Sequence, residues 1–182
     1  MKRLDEIFSS HPHWPAVETV CGTLARSGYE AWLAGGCVRD ALLGRVPQDF
    51  DVATSAAPEQ VEALFERAVA VGKAFGVIIL PFEGFQIEVA TFRKDGLYVD
   101  GRRPASVTFS SPREDAARRD FTVNALYYDV VNKRVVDYVN GERDLAAHVI
   151  RTVGSPHDRL SEDSLRLMRA VRFSAQLGFE IE

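Results

Sequence analysis

Two apolar segments separated by only two residues constrain the fold of this chain more than any other feature. Residues 74–82 (AFGVIILPF) and residues 85–93 (FQIEVATFR) are rich in β-branched and aromatic residues, with Glu83 and Gly84 between them. Such runs on either side of a short glycine-containing turn predict a β-hairpin. The chain is therefore expected to build a sheet, with at least one antiparallel pair of strands.

The remaining patterns place helices and strands around this hairpin. Helices are predicted at residues 14–27, 37–44 and 55–67, and strands at residues 29–36 and 49–54. After the hairpin, the pattern predicts a mobile loop over residues 94–112, a helix starting at 113, a strand at 135–139, and one strong helix over 161–179 capped by Ser161. This order predicts an α+β fold with a mixed or antiparallel sheet, flanking helices and a small helical extension.

Composition narrows the class of protein. The chain has 182 residues, of which 46% are hydrophobic and 26% charged, an ordinary globular balance. No apolar run reaches the roughly 18 residues of a membrane helix, and the first residues lack the apolar core of a signal peptide. Cys21 and Cys37 lie outside any metal-ligand spacing, which predicts reduced, structural thiols in a cytoplasmic protein without a membrane partner.

Charge is unevenly distributed along the chain. The formal net charge is -4, which argues against a uniformly basic nucleic-acid binder. Five arginines nevertheless lie between residues 102 and 119, and four between residues 159 and 172. Local basic patches therefore remain compatible with the acidic total.

Two aspartates flank a phenylalanine at the start of the predicted strand 49–54. Because side chains alternate along a strand, Asp49 and Asp51 share one face about 6–7 Å apart, while Phe50 turns into the core. Carboxylates at this separation suit Mg²⁺, and two such ions about 4 Å apart can activate a hydroxyl and stabilise a leaving pyrophosphate. A solvated strand end is the alternative interpretation of this motif.

A glycine pair precedes this strand. Gly35 and Gly36 stand where one predicted strand ends and a helix begins. Without Cβ atoms they let a phosphate approach the backbone, and a helix start offers free N–H donors. Beside the aspartate pair, this arrangement suits a nucleoside triphosphate, although a tight turn is the simpler interpretation of the glycines alone.

A third carboxylate lies in the predicted hairpin. Glu88 alternates with apolar Ile87 and Val89, so its side chain leaves the core face. If the hairpin lies beside the aspartate strand, Glu88 can complete the metal site or accept the proton of an attacking hydroxyl. The alternative is an ordinary exposed strand glutamate.

Five ordered stretches between about Tyr29 and Phe179 resemble the motifs of one family. They are LAGGCVRDALLG with DFDVAT, TFRKDGLYVDGRRP, REDAARRDFTVNAL, VVDYVNGERDL and EDSLRLMRAVRF. They resemble the class II tRNA nucleotidyltransferases (CCA-adding enzymes) and bacterial poly(A) polymerases of the DNA polymerase β nucleotidyltransferase superfamily. The resemblance implies transfer of CMP and AMP from CTP and ATP to the tRNA 3′ end, with Mg²⁺ as cofactor and release of pyrophosphate.

The resemblance also implies roles for single residues. Asp49 and Asp51 match the metal-binding pair, and Glu88 stands where some members carry a further catalytic carboxylate. The nucleotide-binding positions comprise Gly35, Gly36 and Arg39 for phosphate, Arg118, Arg119, Asp120 and Asn124 around the ribose and triphosphate, and Asp163 and Arg166 for the base, with Arg169 completing the set.

Side-chain chemistry supports part of this assignment. On a continuous helix, Asp163 and Arg166 share a face, where an acceptor beside a planar multiple donor complements the edge of cytosine or adenine. An intrahelical salt bridge is the alternative. Asp120 and Asn124 are one helical turn apart and could both reach a ribose hydroxyl, and the preceding arginines suit phosphate oxygens but could also form a solvated face.

The same resemblance predicts three segments. They are an N-terminal helix at residues 1–28, a catalytic head at 29–145, and the start of a helical neck at 146–182, with the body and tail of longer relatives absent. The last helix carries apolar Leu165, Met168 and Val171. A helix face of this kind needs a covering partner or an oligomer contact.

The same motifs also allow three other classes of protein to be considered. Poly(A) polymerases share all of these motifs. Lys73 followed by Ala74, and the lack of a histidine in Gly76-Val77-Ile78, look more like the tRNA-specific enzymes. A non-catalytic nucleotide- or RNA-binding module is a second alternative, against which the intact aspartate pair argues. A dinucleotide-dependent oxidoreductase is disfavoured because GGCVRD is not the Gly-X-Gly-X-X-Gly fingerprint.

Overall fold

A computed structural model describes residues 4–98 and 104–182 and confirms the mixed α+β class. The chain forms two compact units. The first comprises Met1–Phe92 and Tyr127–Val136, and the second comprises Arg93–Leu126 and Asp137–Glu182. The three segments predicted from the sequence have boundaries after residues 28 and 145, whereas the first unit here is discontinuous. The chain leaves it after Phe92 and returns to it for Tyr127–Val136.

The elements are short and numerous. The helices are α1 (Leu4–Ser9), α2 (Trp14–Arg26), α3 (Gly36–Leu42), α4 (Pro58–Leu64), α5 (Pro112–Ala117), α6 (Gly141–Ala146), α7 (Pro156–Glu162) and α8 (Leu165–Leu177). The strands are β1 (Ala31–Ala34), β2 (Asp51–Thr54), β3 (Val69–Gly72), β4 (Val77–Phe82), β5 (Phe85–Thr91), β6 (Arg93–Asp95), β7 (Val107–Phe109), β8 (Leu126–Asp129), β9 (Arg134–Asp137), β10 (Val149–Ile150) and β11 (Glu180–Ile181).

The first unit is built on a seven-stranded sheet in the order β3-β4-β5-β2-β1-β8-β9. The predicted hairpin is confirmed as β4 and β5, which pair antiparallel from Val77↔Ala90 to Phe82↔Phe85. Strand β1 is antiparallel to β2 and to β8, whereas β2 and β5 run parallel. The sheet therefore combines antiparallel pairs with one parallel pair, and that pair carries the predicted carboxylates.

Helix α2 covers this sheet with one apolar face. Val17, Val20 and Leu24 are fully buried, as the three- and four-residue spacing of an amphipathic helix requires. Pro15 lies in the first turn, where its missing N–H costs nothing. Residues 1–28 are therefore part of the first unit, and they hold two helices rather than the one that the sequence predicts.

The second unit contains strands where the sequence predicts a loop. Within residues 94–112, β6 and β7 pair antiparallel from Arg93↔Phe109 to Asp95↔Val107. The glycine- and arginine-rich composition predicts a loop, and strands of three residues are too short to show an alternating pattern. Residues 99–103 of the predicted loop lie outside the described part of the chain. A second small sheet joins β10 and β11 in parallel.

The predicted terminal helix is two helices. Helix α7 is capped by Ser155, whose hydroxyl accepts a hydrogen bond from the Asp158 N–H, so Ser161 lies inside a helix instead of capping one. Asp163 interrupts the helical path with φ -145° and ψ 104°. Its carboxylate accepts the Leu165 N–H at 2.9 Å, a local bond by which aspartate competes with helical hydrogen bonding.

Within the described residues, no helix is long and apolar enough to cross a lipid bilayer.

Candidate functional site

The carboxylate pair lies at the start of β2, in the first unit. Asp49 and Asp51 are exposed, and Phe50 between them is only 4% exposed. The alternation predicted from the sequence is therefore confirmed, since the phenylalanine fills the core and both carboxylates reach the surface. The backbone of Asp51 also contacts the buried thiol of Cys37, whose pKa burial raises to about 12.

The third carboxylate lies directly beside this pair. Glu88 on β5 is the register partner of Asp51 across the parallel ladder, and it is exposed while Ile87 and Val89 are buried. Neighbouring strands lie about 5 Å apart, and register partners point to the same side of a sheet. The two carboxylates therefore share one face of the sheet. The condition that the sequence set for Glu88, a hairpin next to the aspartate strand, is met.

These residues fit a hydrated magnesium ion in their chemistry. Exposed carboxylate oxygens are the ligands that Mg²⁺ prefers, and it usually keeps several waters and binds substrate phosphate as well. Across residues 4–98 and 104–182, no group of three or more His, Cys, Asp or Glu side chains is arranged to hold a metal. Asp49 and Asp51 are the candidate protein ligands, and Glu88 is a candidate third ligand or proton acceptor.

The glycine pair forms the turn into α3. Gly35 stands before the helix with φ 74° and ψ -123°, a conformation that side chains with a Cβ rarely adopt. Arg39 is 5% exposed, and its guanidinium donates to Asp40 at 2.9 Å from Nε and pairs with it at 2.8 Å from Nη2. The turn is therefore built as predicted, while part of the Arg39 donor set is already used inside the protein.

A histidine lies close to the carboxylates. Burial and the neighbouring His13 lower the pKa of His11, and the charge of Asp49 opposes that shift. The His11 ring meets the Phe50 ring edge-on, with 5.0 Å between centroids. No sequence pattern indicated this neighbour, because α1 and the turn after it lie outside every recognised motif.

In the second unit, one buried carboxylate organises the two adjacent arginines. Asp115 is 1% exposed and accepts Arg118 Nη2 at 2.7 Å and Arg119 Nη2 at 3.1 Å. Arg118 also donates to the Arg93 carbonyl, and Arg119 to the Asn124 carbonyl. The arginines are thus held in position rather than freely solvated, and the side chain of each stays 19% exposed.

Asp120 and Asn124 come together by a route that the sequence did not predict. Helix α5 ends at Ala117, and Asn124 closes a separate 3-10 turn, so no continuous helix relates the two residues. The Asn124 amide nevertheless donates to Asp120 Oδ1 at 3.3 Å. Arg169 of α8 pairs with the other oxygen, Oδ2, at 2.6 Å. Three predicted nucleotide-binding residues therefore form one network.

The predicted base-reading pair is arranged differently from the expectation. Arg166 is 6% exposed and pairs with Glu162 at 2.6 Å, and its guanidinium also donates to the Arg159 carbonyl at 2.8 Å. Asp163 lies between α7 and α8, so the two residues do not share the face of one helix. Their assignment to base recognition stays a prediction, now with Glu162 as the group that orients Arg166.

Three residues missed in the sequence hold this network. Glu162 also pairs with Arg159 at 2.8 Å, and Arg159 donates to the Ala117 carbonyl at 2.8 Å at the end of α5. Tyr98 donates to Asp95 at 2.7 Å, while the Arg166 guanidinium lies 5.7 Å from its ring centroid. Burial and the Asp95 carboxylate raise the pKa of Tyr98 to about 12, so it remains a donor.

Comparison with known protein families identifies the family of this chain. The family model described as the poly(A) polymerase head domain matches residues 31–151. The chain therefore belongs to the poly(A) polymerase head-domain family, as its motifs indicated.

Particular relatives are CCA-adding enzymes. The CCA-adding enzyme of Bacillus subtilis is 51% identical over 159 residues, which are 87% of this chain and 40% of that protein. The structure of the Bacillus stearothermophilus CCA-adding enzyme in complex with CTP superposes with a TM-score of 0.84 at 40% identity, covering 94% of this chain and 41% of that one.

A third relative was solved with both kinds of substrate. It is a tRNA nucleotidyltransferase complexed with a primer tRNA and an incoming ATP analogue, with a TM-score of 0.72, 32% identity, and coverage of 90% of this chain and 46% of that one. The chain thus spans less than half the length of the relatives it matches.

Proposed function

We propose that this protein adds CMP and AMP from CTP and ATP to the 3′ end of tRNA, with release of pyrophosphate. The observation that carries the proposal is the exposed pair Asp49 and Asp51, of which Asp51 is in register with Glu88, on a fold shared with a CTP-bound CCA-adding enzyme at 40% identity. A tRNA substrate would place this activity in the cytoplasm. Because the chain spans only part of its relatives, the activity of a whole CCA-adding enzyme is proposed and not assigned.

The first unit supplies the reacting groups. Asp49 and Asp51 would hold Mg²⁺, which when bound would supply activation of the attacking hydroxyl and charge neutralisation at the phosphates. Glu88 lies one strand away and accepts the proton of the RNA 3′ hydroxyl. The turn at Gly35 and Gly36 leaves room for a phosphate against the backbone, because no Cβ projects there.

The second unit supplies selectivity for the nucleotide. Asp120 and Asn124 offer an acceptor and an amide to the ribose hydroxyls, and Arg119 offers part of its guanidinium to the triphosphate. Asp163 and Arg166 recognise the base. Support for these roles comes from the motif match and from the ion pairs that hold each side chain in place, above all those of Asp115 and Glu162.

Poly(A) synthesis is the second candidate. The matching family model is described by the name of that enzyme, and both activities need the same metal and ribose chemistry. The absence of a histidine in the stretch Gly76-Val77-Ile78 and the single basic residue Lys73 favour the tRNA-specific enzymes. A non-catalytic nucleotide- or RNA-binding module is a further alternative. Two neighbouring exposed carboxylates, which binding alone does not need, argue against it.

The product of one reaction distinguishes these functions. The chain is incubated with Mg²⁺, a tRNA ending before CCA, and each labelled nucleoside triphosphate in turn, and the products are resolved at single-nucleotide length. CCA addition requires CMP incorporation followed by one AMP. Long products from ATP alone would show poly(A) synthesis, and binding of nucleotide without any incorporation would show a binding module.

A further inference from the structure

Residues 93–98 have no role in the function proposed above, yet they reach the arginine that is proposed to recognise the base. In the second unit, β6 ends at Asp95, and Tyr98 pairs with Pro104 in an isolated antiparallel bridge. Tyr98 is half-buried, and its hydroxyl lies 2.7 Å from Asp95 Oδ2 and 3.4 Å from Arg166 Nη2. One phenol therefore stands between a carboxylate of β6 and a guanidinium of α8.

The hydrogen bonds of this phenol can run in only one direction. An ionised carboxylate accepts and cannot donate, so the phenol proton points toward Asp95, whose charge is compensated by Arg93 at 3.1 Å and Arg118 at 3.7 Å. Burial and the same carboxylate raise the pKa of Tyr98 to about 12, which keeps the proton on the phenol. The lone pairs of the phenol oxygen remain for Arg166. The donors thus run from Arg166 through Tyr98 to Asp95.

The guanidinium of Arg166 is held tightly on one side and loosely on the other. Nη1 donates to Glu162 at 2.6 Å and to the Arg159 carbonyl at 2.8 Å. Nη2 makes two longer contacts of 3.4 Å, with the Tyr98 hydroxyl and the Arg118 carbonyl. Nη2 and Nε form the side edge of the guanidinium, which can give two parallel hydrogen bonds. The contact with Tyr98 therefore falls on a donor that recognition of a base would use.

We propose that Tyr98 is a positioning residue for base selection, which holds the Nη2 side of Arg166 in the orientation that recognises the base. The inference rests on the proposed function, from which it takes base recognition by Arg166. The Tyr98 ring contributes as well, since the guanidinium carbon lies 5.7 Å from its centroid, within the roughly 6 Å of a cation–π contact. Tyr98 itself touches no nucleotide in this role, so its effect passes through Arg166.

Equilibrium binding tests this role without relying on nucleotide transfer. Isothermal titration calorimetry of the whole chain with Mg²⁺ gives the dissociation constants for CTP and UTP, and their ratio is the selectivity. Tyr98→Phe removes the hydroxyl and keeps the ring, whereas Tyr98→Leu removes both. The matched control is Tyr138→Phe, because Tyr138 belongs to the same unit and has the Arg113 guanidinium 5.0 Å from its ring centroid.

We expect Tyr98→Phe to lower the selectivity for CTP over UTP by about 2- to 10-fold, the range that corresponds to one hydrogen bond. The dissociation constant for UTP should hardly change, because the proposed ribose and phosphate contacts are made by other residues. Tyr98→Leu should lower the selectivity further, and Tyr138→Phe should keep the wild-type value. Equal weakening of CTP and UTP binding in Tyr98→Phe would show a merely structural role and overturn the inference.

A double-mutant cycle shows whether the effect passes through Arg166. Arg166→Lys keeps a positive charge beside Glu162 but loses the planar fork. In that background, Tyr98→Phe should lower the selectivity no further, because no fork is left to orient. The same loss of selectivity with and without Arg166→Lys would mean that Tyr98 acts by another route, and would overturn its assignment as a positioning residue.

Failure of the positioning role and failure of the proposed function give different results. A wild-type chain that prefers CTP to UTP in binding but transfers no nucleotide refutes the proposed function alone, and the binding ratios still decide the role of Tyr98. Unchanged selectivity in Tyr98→Phe, or no preference for CTP in the wild type, would overturn the positioning role. A thermal melt of each variant keeps unfolding from being taken for lost selectivity, and Tyr98→Phe retains the test if Tyr98→Leu is unstable.

Discussion

At the scale of single residues, solvent exposure separates the carboxylates proposed to react from a carboxylate that stabilises the fold. Asp49, Asp51 and Glu88 are exposed to solvent, where a charge costs little free energy. Asp115 is 1% exposed, and two arginines compensate its charge. Substituting an exposed carboxylate should change the rate of nucleotide transfer. Substituting the buried Asp115 should change the free energy of unfolding.

Asp51→Asn tests an exposed carboxylate. The amide keeps the shape of the side chain but removes its charge and half of its metal-binding oxygens. Because a bound metal ion supplies several kcal/mol of transition-state stabilisation, we expect the rate of CMP transfer to fall by at least about a hundredfold. The urea unfolding midpoint should stay that of the wild type. Single-turnover kinetics provide the measurement, with the exposed Glu66→Gln as control, and a variant that keeps near-normal rates would remove Asp51 from the metal site.

Asp115→Asn tests the buried carboxylate. Removing one partner of a buried ion pair leaves uncompensated charge, and the change should lower the free energy of unfolding by roughly 3–5 kcal/mol. Urea denaturation followed by circular dichroism measures the loss. The more exposed pair of Arg134 with Asp129 supplies the comparison, since Arg134→Gln should cost no more than about 1 kcal/mol. Equal losses for the two substitutions would contradict a structural role of Asp115.

At the scale of elements, local patterns predicted what local interactions determine. The hairpin, α2 and the strand that begins at Asp51 follow from alternation, periodicity and Gly84, and the structure confirms them. The break at Asp163 did not follow, because the periodic apolar positions on both sides fit one helix. The Asp163 carboxylate accepts the Leu165 N–H, a local bond that competes with helical hydrogen bonding and leaves no mark in the apolar periodicity.

The arginine–carboxylate network shows the same limit for the site. Motif spacing indicated Arg118, Arg119 and Asp120, but not the residues that hold them. Arg159 reaches the Ala117 carbonyl from 42 positions further along the chain, and such a contact depends on how α7 packs. Residue type could suggest which groups bind a nucleotide, while their orientation depended on long-range packing that no local pattern encodes.

Helix α5 offers a prediction at this scale. Ser111 and Glu114 form a capping box, in which the serine hydroxyl accepts the Glu114 N–H at 3.3 Å and the glutamate accepts the Ser111 N–H. Ser111→Ala removes one cap of the helix that carries Asp115, and the expected cost is about 1 kcal/mol of unfolding free energy. Ser111→Asp should recover most of it, because aspartate caps equally well. Equilibrium urea unfolding of the three proteins checks this, and no difference among them would show that the cap is not formed in solution.

At the scale of the whole molecule, the two units carry different parts of the proposed nucleotide chemistry. The first holds the carboxylates and the glycine turn, and the second holds the ribose and base groups. The apolar residues Leu165, Met168 and Val171 of α8 are between 47% and 68% exposed, so the predicted need for a covering partner stands. The part of each unit in nucleotide binding can be tested by substitution within that unit, with stability in the presence of ligand as the measurement.

Stabilisation by CTP is the prediction that these substitutions test. A ligand that binds only the folded chain stabilises it by about 2.7 kcal/mol at a free concentration one hundred times its dissociation constant. CTP with Mg²⁺ should therefore raise the unfolding midpoint, and ATP should do so more than GTP or UTP.

Asp51→Asn should remove the magnesium-dependent part of the CTP effect, because the first unit then loses a metal ligand. Asp120→Ala should instead narrow the difference between CTP and dCTP, because it removes an acceptor for the ribose. Thermal melts of the three proteins against each nucleotide, with and without Mg²⁺, measure these shifts. An unchanged CTP-to-dCTP difference in Asp120→Ala would remove the second unit from ribose recognition, and equal shifts with all four nucleotides would contradict base selection by Arg166.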